Sequence, residues 1–238
     1  MPAPISVVVP TLDAGDGLAA ALASLLPATE AGLVREVVVS DGGSGDGTLD
    51  IADEAGCRVV TGSAGRGAQL ARGAAAARGA WLLFLHADTV LSDGWDRAAA
   101  SQLGRPGQAG VFRLALKGEE AGRSGASLPP RLVAGGANVR ARLFGLPYGD
   151  QGLLLAQSLY AQVGGYDPGL PLFEDVDLVR RLRRARGRGA LRLLPAYAIT
   201  SPRRYERDGY ARRVAANQLL LARYLAGASP ARLAARYR

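Results

Sequence analysis

Three apolar runs in the first ninety residues each lead into an acid. Val7-Val8-Val9-Pro10-Thr11-Leu12 leads into Asp13, Val37-Val38-Val39-Ser40 into Asp41, and Trp81-Leu82-Leu83-Phe84-Leu85-His86-Ala87 into Asp88. Three carboxylates in such places suit a bound cation, or the hydroxyl and amide groups of a nucleotide. His86 is the only histidine and precedes Asp88 by two residues. Positions i and i+2 of a strand share a face, so His86 and Asp88 can reach one site. Hard cations such as Mg²⁺ prefer carboxylate oxygens and keep several waters. One aspartate plus two phosphates of a ligand would hold such an ion.

A second set of acids, Phe173-Glu174-Asp175-Val176-Asp177, opens a segment that ends in Arg180, Arg181, Arg183, Arg184 and Arg186. Acids at the start and bases at the end match a helix macrodipole, which by itself explains these charges. With ~3.6 residues per turn, Asp175 and Asp177 point well apart, and Asp175 is the candidate for chemistry. Asp41-Gly42-Gly43-Ser44-Gly45-Asp46-Gly47-Thr48 is a Gly-rich strand-to-helix turn in which Asp46 or Thr48 can cap the next helix. It has neither the dinucleotide spacing nor a Walker A lysine. Gly65-Arg66-Gly67 opens an Ala-rich segment and could hold an anion at a helix N-terminus.

These residues need a scaffold. The three runs read as short, continuously apolar strands of a parallel sheet (5–10, 36–40, 81–85), with a further strand at 58–60. Helices are expected at 16–26, stopped by Pro27, at 48–55, and at 67–78 with Gly79 as C-cap. Strand–helix alternation implies an α/β, doubly wound, mainly parallel sheet with helices on both faces. In such sheets ligands bind beyond the carboxyl ends of the strands, where the acids fall. Downstream, the sequence predicts a strand at 111–116, a mobile loop at 117–130 and a basic helix at 131–145. An apolar run follows Gly149-Asp150-Gln151-Gly152. A helix at 174–186, a strand at 191–194 and a helical tail at 210–226 complete the reading. One domain is expected over 1–200, with a donor half to about 100, and a basic amphipathic tail over 201–238 packed on it.

The chain has 238 residues, one cysteine and a net charge of +8 carried almost wholly by arginine. A lone cysteine excludes an intrachain disulfide and fits a reducing compartment. The start resembles no secretion signal, and no apolar run approaches the ~20 residues of a membrane span, so a cytoplasmic protein is expected. The charge could draw the protein to phosphates or to an anionic membrane surface at the inner face of the membrane. With 6% aromatic residues and no interleaved basic–aromatic stripe, a nucleic-acid partner is not expected.

Taken in order, the motifs resemble glycosyltransferase family 2. Val7 to Asp13 resembles its opening strand, Asp41 to Thr48 its acidic Gly/Ser-rich motif, and Leu85-His86-Ala87-Asp88-Thr89 its Asp-x-Asp metal motif. Gly164-Gly165-Tyr166 resembles its acceptor-side segment, and Glu174 to Leu178 its Glu-Asp motif. The Gly-Asp-Gln-Gly and His-Ala-Asp sequences are most similar to a bacterial subgroup catalogued beside radical-SAM and selenium-related proteins. The resemblance implies a GT-A fold and inverting sugar transfer from a nucleotide-diphosphate donor to an acceptor hydroxyl. It assigns Thr11, Asp13 and Asp41 to the base and ribose and Arg204 to the donor phosphates, and Pro10, Ala87 and the helix-opening Arg66 complete the donor-side candidates. Asp88 with His86 would take Mg²⁺ or Mn²⁺, Asp150, Gln151 and Glu174 would stand on the acceptor side, and Asp175 would be the general base. His86 departs from the family, replacing the first Asp of Asp-x-Asp.

A nucleotidyltransferase would share the nucleotide and metal needs, but Thr11-Leu12-Asp13-Ala14-Gly15 lacks its basic residue. In the tail, Tyr210, Val214, Leu221, Tyr224 and Leu225 fall on one helical face. That face suits packing on the domain, a homodimer, or docking to a membrane surface.

Overall fold

The computed structural model describes residues 3–117 and 130–234, without the side chains of Leu143, Phe144 and Arg204. The loop expected at 117–130 lies almost wholly outside these residues. The chain alternates β1 (Ile5–Thr11), α1 (Gly15–Ala23), α2 (Leu26–Glu30), β2 (Val34–Asp41), α3 (Thr48–Glu54), β3 (Arg58–Thr61), α4 (Arg66–Ala76) and β4 (Trp81–Phe84). It continues through β5 (Thr89–Leu91), α5 (Trp95–Leu103), β6 (Ala109–Leu116), α6 (Pro130–Phe144), β7 (Leu153–Ala156), α7 (Gln157–Gln162) and α8 (Glu174–Arg186). β8 (Leu191–Thr200), α9 (Arg203–Asp208), α10 (Tyr210–Leu225) and α11 (Pro230–Ala234) follow.

One eight-stranded sheet runs β3-β2-β1-β4-β7-β6-β8-β5. β1 pairs in parallel with β2 and β4, β2 with β3, and β6 with β8, whereas β7 and β5 are antiparallel to their neighbours. The α/β doubly wound fold is therefore as the sequence indicates, with two strands reversed. Ile5, Val7, Val8, Val9, Val38, Leu82 and Leu83 are fully buried, as continuous apolar runs in a two-faced sheet should be.

Four local expectations need correction. Pro27 does not stop a helix but sits in the first turn of α2, where its missing N–H costs nothing. Gly79 does not cap α4. It packs on β1, where a β-carbon would stand 2.5 Å from the Ser6 nitrogen, and its N–H donates to Ser6 Oγ at 2.7 Å. β8 runs through Pro195 to Thr200, because its register slips against β6 between Val111 and Arg113 and a bulge tolerates the proline. In the tail, Leu220 and Leu221 are buried while Leu225 is 44% exposed. Leu221 and Tyr224 face inward as expected, but Leu220 replaces Leu225 on that face. The face packs with Leu233 against Phe173 and Val176 at the start of α8.

β7 pairs with β6 only at Gly110 and Val111. Beyond that point Asn138 of α6 takes the place of a strand neighbour: its Oδ1 accepts from the Leu114 N–H at 2.8 Å and its Nδ2 donates to the Leu114 carbonyl at 3.0 Å. This fixes α6 beside β6.

Candidate active site

A cleft of about 1210 Å³ lies beyond the carboxyl ends of β1 and β4 and against the first turn of α8. It exceeds the roughly 300–1,000 Å³ of a single small-ligand pocket. Pro10, Thr11, Asp13, Arg66, His86, Ala87, Asp88, Asp150, Glu174 and Asp175 all line it. Segments more than 150 residues apart in the chain thus bring ten of the thirteen candidate residues to one cavity.

The turn after β1 is tied together by its own acids. Asp13 has a left-handed backbone, φ 48°, uncommon for a residue with a β-carbon. Its Oδ1 accepts from Gly45 N–H at 2.8 Å, and its own N–H donates to Ser44 Oγ at 2.9 Å. Asp46 accepts from Gly15 N–H at 3.0 Å, and Ala14 N–H donates to Thr48 Oγ1 at 2.8 Å. The loop after β1 and the loop after β2 are therefore one hydrogen-bonded unit.

Asp41 departs from its expected role. It is fully buried and is not among the cleft-lining residues. Thr11 Oγ1 donates to its Oδ1, and Gly43 and Ser44 N–H donate to its Oδ2 at 2.7 and 2.8 Å. Burial pushes the carboxyl up, but the hydrogen bonds from Ser44, Gly43 and Thr11 outweigh it and hold Asp41 below the usual carboxylate range. The residue shapes the turn and presents no free oxygen to a ligand. Gln151 is corrected likewise: it is fully buried, its amide donates to the Phe112 carbonyl at 3.0 Å, and it does not reach the cleft. Arg204 lies in α9 between the cleft-lining Arg203 and Tyr205, with its side chain outside those described.

Sequence reasoning missed Gln69. It is buried and its Nε2 donates to the carbonyls of Thr11 and Ser40, at 2.5 and 3.2 Å, joining the ends of β1 and β2. A glutamine one turn into an amphipathic helix carries no signal that would single it out. The tail wall was missed as well, since Tyr205, Glu206, Arg213, Asn217 and Leu220 all line the cleft.

On the opposite rim, Phe173 has a left-handed backbone, φ 65°, immediately before Glu174 and Asp175. Such strain persists only where packing enforces it. Here Tyr224 of α10 stacks on the Phe173 ring with centroids 4.8 Å apart. Asp175 Oδ2 accepts from Gly149 N–H at 2.6 Å and Oδ1 from Val176 N–H at 2.7 Å. Burial nevertheless raises its carboxyl above the ordinary range, the two backbone donors opposing. Burial lifts Glu174 to about 7, helped by the Asp175 charge and opposed by Arg66, whose Nε stands 3.7 Å away. Burial lifts Asp150 to about 6, Arg140 opposing and Asp175 and Asp88 adding to it. Asp177 faces away from the cleft and pairs with Arg181 at 2.7 Å, as its helical position indicates. A β-carbon on Gly149 would stand 2.7 Å from His86 Nε2 and 3.5 Å from Asp175 Oδ2. His86 thus turns toward Gly149 and Asp175.

A profile of glycosyl transferase family 2 matches residues 6–142, more than half of the chain. The chain belongs to that family. Comparison with curated proteins finds no match. Among solved structures, the chain resembles glucosyl-3-phosphoglycerate synthase from Mycobacterium tuberculosis, solved with Mn²⁺, UDP and glucosyl-3-phosphoglycerate. The TM-score is 0.59 at 21% identity, over 84% of this chain and 70% of that one. It also resembles S. aureus TarS, with TM-score 0.60 at 21% identity over 84% of this chain and 37% of TarS. At this identity the likeness establishes a shared GT-A fold. The family-2 glycosyltransferase has no described helix long and apolar enough to cross a membrane.

The fold family implies a divalent cation. Among the described residues no group of three or more His, Cys, Asp or Glu is arranged to hold one. Asp88 is exposed at the cleft, and among the described residues its carboxylate accepts one hydrogen bond, from Thr89 Oγ1 at 3.5 Å. A hard ion that keeps waters and takes other oxygens from a diphosphate needs no more protein than this. The donor set fits Mg²⁺ or Mn²⁺ bound jointly with a ligand.

Proposed function

We propose that this protein transfers a sugar, with inversion, from a nucleoside-diphosphate donor to an acceptor hydroxyl, with Mg²⁺ or Mn²⁺ at Asp88. The observation that carries the reading is the contrast of two aspartates in one cleft. Asp88 is exposed and nearly free of donors, whereas Asp175 is held by two backbone N–H groups with its carboxyl raised by burial. One suits a cation and the other a proton.

Thr11, Asp13 and Ala87 border the space for the nucleoside, and Arg66 faces the diphosphate. Asp175 takes the acceptor proton as the acceptor oxygen bonds to the anomeric carbon. The bond from that carbon to phosphate oxygen breaks on the far face, and the diphosphate leaves with the electron pair. The cation, when bound, supplies charge that stabilises the leaving group. A raised carboxyl is a stronger base than an ordinary one, and a positioned base contributes roughly 10²–10⁴-fold in rate.

The test pairs two variants against UDP-, GDP- and dTDP-sugars. Asp88→Asn is expected to lose the metal-dependent thermal shift given by the preferred donor. Asp175→Asn is expected to keep that shift and lose transfer by roughly 10²–10⁴-fold. Wild-type turnover in both variants would reject the assignment.

A further inference from the structure

The cleft has a side opening. A slot of about 220 Å³ lies between α6 and α10. Tyr148, Asp150, Tyr205 and Asn217 line both the slot and the cleft, so the two are continuous. Away from the cleft its walls are mainly apolar, Leu132, Val133 and Ala137 of α6, Val214 of α10 and Leu114 of β6, with Gln218 of α10 the polar exception. Leu132, 59% exposed, marks the outer end. At the inner end Arg140 Nη2, Asp150 Oδ1 and Asn217 Oδ1 are buried without a hydrogen-bond partner among the described residues. Leaving such atoms unmatched is costly. Three at one place, beside Asp175, point to a polar group that arrives with a ligand.

The slot is kept open by a glycine. A β-carbon at Gly136 would meet nothing within 4 Å, and Gly136 lines the slot. Its neighbour Gly135 has equal space but does not line it. Glycine in a helix interior is unfavourable, and at 136 it leaves room that any larger residue would fill.

We infer that the slot binds the acceptor, and that the acceptor is an alcohol carried on an apolar body. The apolar part lies between α6 and α10. The hydroxyl lies at the inner end, where Arg140 Nη2 can donate to its oxygen, Asn217 Oδ1 can accept a hydrogen bond from it, and the Asp150 carboxylate can take its proton on the way to Asp175. A polyol would strand hydroxyls against Leu132, Val133, Ala137 and Val214, which offer them no partner. The inference rests on the transfer reading only for what happens at the inner end.

The test uses three probes, 1-octanol, glycerol and UDP with Mg²⁺, titrated calorimetrically into the wild type, Gly136→Leu and Gly135→Leu. Both variants improve helix propensity, and their melting temperatures should equal or exceed that of the wild type. Octanol should bind the wild type and Gly135→Leu alike and Gly136→Leu at least tenfold more weakly. Glycerol should show no saturable binding, and UDP should bind all three proteins equally. Absence of octanol binding to the wild type, equal octanol affinity in Gly136→Leu, or preference for glycerol would overturn the inference. Failure of UDP to bind, with the octanol pattern intact, would instead count against the donor reading and leave the slot standing.

Discussion

On the β1–β2 side of the cleft, Asp41 and Asp46 have carboxyls below the ordinary range, whereas on the α8 side Asp150, Glu174 and Asp175 lie above it. Asp46 is exposed, but Asp41 is fully buried, so burial alone does not set the direction. The difference is in how far donors offset burial. Asp41 meets two backbone N–H groups and two hydroxyls within one turn. Asp150 has a buried oxygen with no partner among the described residues, and Glu174 has Arg66 at the loose distance of 3.7 Å. Acids supplied with donors stay charged and act as clamps. Where burial outweighs the donors present, the carboxyl rises: Asp150 to about 6, Glu174 to about 7, and Asp175 above its ordinary range despite two backbone N–H groups.

The sharpest way to break this comparison is to remove a clamp. Asp41→Asn places an amide N–H₂ group against donors that need an acceptor. Unsatisfied buried groups of this kind cost about 2–4 kcal/mol together, and the melting temperature should fall by roughly 5–15 °C. Any loss of UDP binding should then follow the loss of folded protein and recover on cooling. An unchanged melting temperature with UDP binding abolished would restore Asp41 as a direct ligand contact.

That residue also marks where sequence reading reaches its end. The strands β1, β2 and β4 were legible because a continuous apolar run bounded by turn residues has few alternatives. Asp13 and Asp88 followed from those strands, and Asp175 from helical phase. Asp41 ends an equally apolar strand, but whether it faces ligand or its own loop depends on Gly43 at φ 99° and on where Ser44 lands. Strand-end position does not encode that. Gln151 was misplaced for the same reason, since its partner Phe112 lies in another strand. The tail wall was illegible because Leu220, Leu221 and Leu233 find Phe173 and Val176 only through long-range packing. β5, three residues long, offers no periodicity to read.

A smaller effect is expected from pH. Glu174 moves from its ordinary 4.5 to about 7 in the folded protein. Between those values the folded state keeps a proton that the unfolded chain has released. The folded state binds more protons there, so stability falls as pH rises through that window. Glu174→Gln cannot titrate and should remove about 1–3 kcal/mol of the fall between pH 5 and 8. Asp150 and Asp175 shift in the same direction and leave a residual slope in the variant. Urea unfolding at the two pH values measures it. An identical slope in variant and wild type would mean that Glu174 is charged throughout, like Asp41.

The smallest effect concerns how the tail is held to the rest of the cleft. Arg203 of α9 pairs with Asp16 of α1 at 2.8 Å, with side chains 72% and 80% exposed. This contact joins the tail to α1, beside the loop after β1, and looks like a latch. Exposed ion pairs rarely contribute more than about 1 kcal/mol, because water screens them and ordering two long side chains costs entropy. The buried contacts of Leu220, Leu221 and Leu233 with Phe173 and Val176 lie on the opposite rim and involve apolar area that water does not compete for. Asp16→Asn should therefore change stability by less than about 0.5 kcal/mol and leave its salt dependence nearly as before. A loss above about 1 kcal/mol that vanishes in high salt would move the anchor of the tail wall from the α8 rim to α1.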